Sequence, residues 1–377
     1  MLKELINFIL EKKMDRAVDK KTRQIRKRLP AASLIESTEL FAGYKKKWKP
    51  LAGEPDARFY YLYWQINGIE SDEYIPENVY YNRIEPVLND KGYALAYADK
   101  NIYERVLPEF KSLFPKAYLR GINGNLYDEN YALLRGERFL AGILAMGREY
   151  ILKPATETSG GLSVKSIGIN RDGDMEMENR VYSPASFCAL LKAEFNGNFI
   201  LQEKIAQHAF FSAFNESSVN TVRIFTYRSV ASEEVHPLQA VLRFGRPGSL
   251  VDNQASGGWS CGISENGDLN SFAVDKYGRR SSELPGIIQA NGKSVPGFAG
   301  MRELAIKIAG RFPFQRLLGF DFCLDRDGNV RLLEINCKNL EINFLQMNNG
   351  PLFGKYTDEI IAFCKVNIKS LVLDFHV

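Results

Sequence analysis

The stretch Leu317–Asn336, reading LLGFDFCLDRDGNVRLLEIN, constrains this chain more than any other. Two apolar-rich runs flank Asp327-Gly328, a dipeptide favoured in tight hairpin turns because such turns need positive φ. With that pair at the turn, Arg326 faces Asn329, and counting outward sets Asp321 directly opposite Glu334. Directly opposed side chains share a face, with Cβ atoms roughly 5 Å apart. Asn336, two residues on, shares that face too. Two carboxylates and an amide therefore converge on an otherwise apolar ribbon. Unpaired, such acids repel one another and are expensive to bury. A hard divalent cation resolves the conflict, and Mg²⁺ takes oxygen ligands while keeping phosphate oxygens and water in its other positions. The competing reading is a hairpin whose acids face solvent, with Phe320, Phe322 and Leu324 turned inward. The run Val330–Leu333, which reads as buried on both faces, favours the metal.

A metal that carries phosphate needs a phosphate cradle, and one stands upstream. Lys153 ends the strand YILK and Pro154 follows it. Gly160 and Gly161 then let backbone N–H groups approach a phosphate closely, and Thr158 and Ser159 add hydroxyl donors. No Gly-Lys-Ser/Thr closes the loop, so it is not of the Walker type. Alone, a Gly-Gly between strands is more often a hairpin turn; the lysine before it and the acids after it give it weight. Arg223 in SVNTVRIFTY and Arg243 in QAVLRFG lie inside apolar strands. Each needs an anionic partner, either an internal carboxylate or the phosphate of a substrate. Asp252 to Gly262, with Asn253, Gly257 and Gly258, reads as a loop shaping an acceptor site, the glycines allowing close backbone approach.

Composition narrows the classes. The length of 377 residues suits two or three domains. The pattern divides at residues 50, 130 and 215: a basic helical segment, a mixed aromatic-rich domain, a lobe of strands and glycine turns, and a lobe of long strands ending in a helix. Helices are expected over Lys100–Leu113, from Tyr131 to Met146, over Pro184–Glu194 and over Met301–Arg311. Strands and helices interleave without a βαβ rhythm, which implies α+β lobes rather than a doubly wound sheet. The five cysteines are scattered and form no CxxC pair. That argues against a disulfide framework or a zinc site and fits a reducing, cytoplasmic setting. Three histidines leave little room for a histidine-based triad. The first helix carries Leu2, Leu5, Ile6, Ile9 and Leu10 at helical spacing, then Lys12, Lys13, Arg16 and further cations. Such a helix can lie on an anionic leaflet at the inner face of a membrane. A solvated helix packed on its own domain is the plainer reading and is preferred. No basic motif interleaved with aromatics follows, so nucleic acid is not an expected partner.

Taken in order, these pieces resemble the ATP-grasp superfamily: strand-lysine-proline, the glycine loop, the QEK strand, the VRI arginine and the GFDF…LLEIN hairpin. The segments SVNTVRIFT, VDN with GGWSCGI, LQMNNGPLFGKYTDEI, DKNIYERVLPEF and GINGNLYDENY are similar to the sugar-transfer associated ATP-grasp proteins. The resemblance implies an ATP-grasp fold, with two α+β lobes clamping ATP and Mg²⁺ behind a helical and mixed N-terminal region. It implies Lys100 and Lys153 as nucleotide lysines, Arg223 on phosphate and acyl intermediate, and Asp321, Glu334 and Asn336 as metal ligands. FILQEK resembles the inter-lobe strand on which adenine sits, with Gln202, Glu203, Lys204 and Ile205 at the base and His208 reaching the ribose; a surface position for His208 is about equally open. One departure is that Asn336 is followed by Cys-Lys-Asn-Leu rather than the common Asn-x-x-Pro-Gly. A second EIN, Glu341–Asn343, reads as chance, with Glu341 replacing a ligand should the hairpin register differ. The activity implied is carboxylate–amine ligation through an acyl phosphate. The small-molecule or glycan substrate would be a sugar acid joined to an amine in surface polysaccharide synthesis. Phosphotransfer to a hydroxyl, or a nucleotide-binding scaffold without turnover, are the other readings.

Overall fold

The structure is a computed structural model, and it describes residues 2–29, 38–135, 149–156 and 164–368. Two antiparallel sheets organise the chain. The first takes β1 (Ala117–Ile122), β2 (Asn125–Tyr127), β3 (Leu133–Leu134), β4 (Tyr150–Pro154), β5 (Lys165–Ile169), β6 (Met175–Met177), β7 (Arg180–Tyr182) and β8 (Phe199–Glu203). Their order is β3-β2-β1-β8-β4-β5-β6-β7, and the helix Pro184–Phe195 packs on this sheet through Phe187, Leu191 and Phe195. The boundary expected at residue 130 falls inside this sheet, between β2 and β3.

The second sheet takes β9 (Thr221–Arg228), β10 (Val235–Phe244), β11 (Trp259–Ile263), β12 (Leu269–Asp275), β13 (Arg280–Ser281), β14 (Leu317–Leu324) and β15 (Val330–Asn336), in the order β13-β12-β11-β10-β9-β14-β15. Alternation along its strands sends side chains to two cores. Val222, Ile224, Leu242, Phe320 and Phe322 meet Met301 and Ile308 of the helix Phe298–Ala309. Phe225, Tyr227, Val241 and Leu317 turn to the opposite face. There they join Val18, Ile25, Trp48, Tyr60 and Tyr63 from the helices Leu2–Arg26, Thr38–Ala52 and Ala57–Asn67. The N-terminal helices therefore share one apolar core with the second sheet. This explains the full burial of β14, which has a layer on each face.

The helix expected over Lys100–Leu113 is broken into Tyr103–Val106 and a 3₁₀ turn, Pro108–Leu113. Pro108 supplies no N–H and clashes with the preceding turn, so the helix stops there. Of the stretch from Tyr131 to Met146, β3 is extended, Tyr131, Ala132 and Arg135 are not helical, and 136–146 lie outside the described residues.

Candidate active-site cleft

The hairpin β14–β15 does set Asp321 against Glu334, but by a different route from simple counting. Its turn runs Asp325–Gly328 with Gly328 at φ 83°, and Asp325 N–H donates to Asn329 O. That turn pairs Leu324 with Val330, one residue off the expected register. A bulge between Asp321 and Phe322 then restores it, so that Asp321 faces Glu334 and Gly319 faces Asn336. Two one-residue offsets cancel.

On its other side β14 pairs with β9, and Arg223 stands directly opposite Asp321. The guanidinium grips the carboxylate through two bonds, Nε to Oδ1 at 2.6 Å and Nη2 to Oδ2. Arg243 adds a contact of 3.3 Å from β10, and Asn336 Nδ2 donates to the same Oδ2 at 3.4 Å. Glu334 meets the ammonium of Lys100 at 2.6 Å. The carboxylates are thus not left unpaired, as the reading of the hairpin alone supposed. Their counter-charges come from β9, β10 and the Lys100 turn, none of which lies close in sequence. Burial pushes Asp321 up, yet Arg223, Arg243 and Asn336 together hold the carboxyl below its ordinary value. Glu334 is likewise pushed up by burial, but Lys100 and Lys153 together bring it below its ordinary value.

These residues line a cleft of about 520 Å³ between the sheets. Lys153 enters it from β4, Gln202 and Glu203 from β8, Ile205 from the segment that follows β8, and Asp252 and Asn253 from the loop after β10. Burial, reinforced by the neighbouring Lys100 ammonium, lowers Lys153 from 10.5 to about 8. Burial raises Asp252 despite Arg243, while Thr221 Oγ1 donates to its carboxylate. Asn253 Oδ1 caps the next turn by accepting from Ala255 N–H at 3.0 Å. Glu203 also bridges the lobes: its carboxylate accepts from Lys116 N–H at 2.9 Å and pairs with Arg331 of β15.

Four expected site residues are not brought to the cleft. His208 caps the short helix Ala209–Ser212, its Nδ1 accepting from Phe210 N–H at 3.2 Å and its own N–H donating to Leu324 O. Lys204, just past the end of β8, is exposed and paired with Glu149 at 2.8 Å. Gly257, at φ 95°, ends a 3₁₀ turn. Gly258 serves packing: a Cβ there would lie 2.7 Å from the carbonyl oxygens of both Asp252 and Phe244. Thr158, Ser159, Gly160 and Gly161 lie outside the described residues.

Sequence reasoning missed one wall. Tyr81, Lys338, Glu341 and Phe344 line the cleft beyond Asn336. Glu341 is held by Lys21 of the first helix at 2.5 Å, and Lys21 also bonds buried Glu77 at 3.0 Å. The repeated EIN was the signal for Glu341; Lys21 carried none, since it is one cation in a basic run.

Two opposed acids and the cations Lys100, Lys153, Arg223, Arg243 and Lys338, in a cleft that reaches the strand β8, suit a nucleoside triphosphate. The profile of the sugar-transfer associated ATP-grasp family matches residues 80–360, well over half of the chain. The chain belongs to that family. The cleft is the candidate nucleotide site of this ATP-grasp protein. Among solved structures, it is similar to N5-carboxyaminoimidazole synthase from Aspergillus clavatus, in complex with ADP and 5-aminoimidazole ribonucleotide, at 12% identity, covering 74% of this chain and 54% of that one with a TM-score of 0.36. It is also similar to the ATP-grasp ligase PsnB complexed with minimal precursor, at 13% identity, 73% and 63% coverage and a TM-score of 0.39. A third likeness is to the biotin carboxylase domain of Hydrogenobacter thermophilus 2-oxoglutarate carboxylase with MgADP, at 13% identity, 74% and 48% coverage and a TM-score of 0.41. The chain thus spans about half the length of the first of these structures. No curated protein matches it. The family match, and not the structural likenesses, carries the assignment.

Proposed function

We propose that this ATP-grasp protein is an ATP-dependent carboxylate–amine ligase, and that it joins an amino acid or other amine to a sugar acid during surface polysaccharide synthesis. The observation that carries the reading is the convergence of Asp321 and Glu334 with Arg223, Arg243, Lys100 and Lys153 in one cleft. A carboxylate and a triphosphate are both anionic, so their approach requires positive charge fixed in place beforehand. The substrate carboxylate attacks the γ-phosphorus and the bond to the β–γ bridging oxygen breaks, releasing ADP and leaving an acyl phosphate. The amine then attacks the acyl carbon, the bond to phosphate breaks, and the nitrogen sheds a proton. No side-chain nucleophile is needed. That agrees with a cleft holding neither cysteine nor histidine among its described residues.

Magnesium fits the donor set. Asp321, Glu334 and Asn336 are hard oxygen donors on neighbouring positions of one hairpin. They would hold the ion, which would neutralise phosphate charge. Asp321 has both oxygens engaged by Arg223. Oδ1 accepts only the Arg223 Nε bond, so it keeps a lone pair with which Asp321 would reach an ion. The sugar setting rests on the family's description, and Lys338, Glu341 and Tyr81 form the polar wall on which such an acceptor would lie.

ADP release measured over a panel of sugar acids and amino acids, with mass spectrometry of products, tests the proposal. Trapping with hydroxylamine should give a hydroxamate, and Glu334→Gln should abolish turnover. ADP release without hydroxamate or amide would replace ligation by phosphotransfer to a hydroxyl, and near-native activity of Glu334→Gln would remove the metal assignment.

A further inference from the structure

The helix Leu2–Arg26 has two unlike faces. Its inward face is fastened to the molecule: Glu11 pairs with Arg83 at 2.5 Å, Asp15 accepts from Asn82 at 3.0 Å, and Val18, Thr22 and Ile25 are buried. The outward face begins with Leu5, Phe8 and Ile9, which are 56%, 56% and 55% exposed. At the following turns the same face presents Lys12, Lys13, Arg16 and Lys20, all exposed. At 100° per residue these seven side chains fall on the half of the helix opposite Val18 and Ile25. Large apolar groups gathered on one exposed face, beside cations, need an explanation that scattered surface leucines do not.

We infer that this face is a docking surface for an anionic phospholipid bilayer, with Leu5, Phe8 and Ile9 entering the acyl boundary and Lys12, Lys13, Arg16 and Lys20 resting on headgroup phosphates. Charge complementarity selects this occupant. A second copy laid along the same face would set lysines and arginines against lysines and arginines, and like charges across a helix pair repel. Nucleic acid would use the cations and leave the three apolar side chains in water. A lipid surface satisfies both halves of the stripe, as interfacial helices do. No described helix is long and apolar enough to cross a membrane, so the contact is lateral.

The same helix reaches the cleft. Lys21 holds Glu341 in the cleft wall, and it lies roughly 24 Å along the helix from Leu5 at about 1.5 Å per residue. Docking at the apolar end therefore sets the cleft beside the bilayer, within reach of an acceptor carried on a lipid headgroup. The docking itself does not depend on the ligase reading, because vesicle binding is measured without turnover.

Sedimentation of the full chain with phosphatidylcholine vesicles, with and without phosphatidylglycerol, tests the inference. Binding is expected only with phosphatidylglycerol and should fall as salt rises. The triple variant Leu5→Ala, Phe8→Ala, Ile9→Ala should bind at least about tenfold more weakly. Lys12→Glu, Lys13→Glu and Arg16→Glu should each weaken binding roughly fivefold or more. An unchanged circular dichroism spectrum and thermal midpoint would show these variants folded. Absence of binding to phosphatidylglycerol vesicles overturns the inference, as does equal binding by the variants. So does a self-association that Leu5→Ala, Phe8→Ala, Ile9→Ala abolishes while vesicles go unbound, which would assign the face to a protein partner.

Discussion

Raising the pH should loosen nucleotide binding through a single group, Lys153. Burial and the nearby Lys100 ammonium lower it to about 8 from 10.5. A triphosphate beside it favours the charged form, so the bound state holds its proton to higher pH than the free protein. With a free-state value near 8, the ammonium fraction is roughly 0.9 at pH 7 and roughly 0.1 at pH 9. The apparent nucleotide dissociation constant should accordingly rise about tenfold over that interval, or about 1.4 kcal/mol. Calorimetric titration of ADP in buffers of different ionisation enthalpy should record uptake of about 0.9 proton at pH 9 and almost none at pH 7. Lys153→Arg should flatten both trends, since guanidinium stays charged throughout. For the free protein the sign is opposite. The folded value lies below the unfolded one, so the unfolded chain binds more protons between about 8 and 10.5, and stability rises with pH across that window by at most about 3 kcal/mol. An affinity that stays level from pH 7 to 9, or a fall that persists in Lys153→Arg, would refute the placement of Lys153 on the phosphates.

Three further outcomes follow from the contacts described. Asp321→Asn removes the acid facing Arg223 and Arg243 and should cost about 3 kcal/mol or more in urea unfolding, as breaking a buried pair does, together with loss of turnover. An unchanged midpoint would mean that the guanidiniums do not depend on that carboxylate. Lys21→Met strands Glu77, whose side chain is 2% exposed, and should cost about 3 kcal/mol; the low end applies because Glu341 keeps 44% exposure. A loss under about 1 kcal/mol would show that the pair is dispensable. Gly258→Ala drives a methyl onto the carbonyl oxygens of Asp252 and Phe244 and should destabilise by about 1–3 kcal/mol while shifting the Asp252 loop. Wild-type stability with an unmoved loop would show that the backbone there yields freely.

Two local patterns and a family resemblance were enough to reach the fold and much of the cleft. The Asp321–Glu334 pairing was legible because a hairpin's register is set by its own turn and by a few neighbouring residues. Even so, it came out right through compensation, since the turn and the bulge each shift the count by one. The broken helix at Pro108 needed only the local proline rule, which the apolar spacing of Lys100–Leu113 masked. His208 was left open between ribose and surface because a residue five positions past a strand carries no periodicity to orient it.

What tertiary structure decided was the partner of each charge. Arg223 needed an anion on any reading of its strand, but only the pairing of β9 with β14 names Asp321, 98 positions away. Lys100 meets Glu334 across the two lobes, and Lys21 meets Glu341 over 320 positions. Register within a ribbon follows from adjacent residues. The choice of which strand, turn or helix stands beside that ribbon follows from burying two apolar faces at once, a property of the whole chain that no single segment contains.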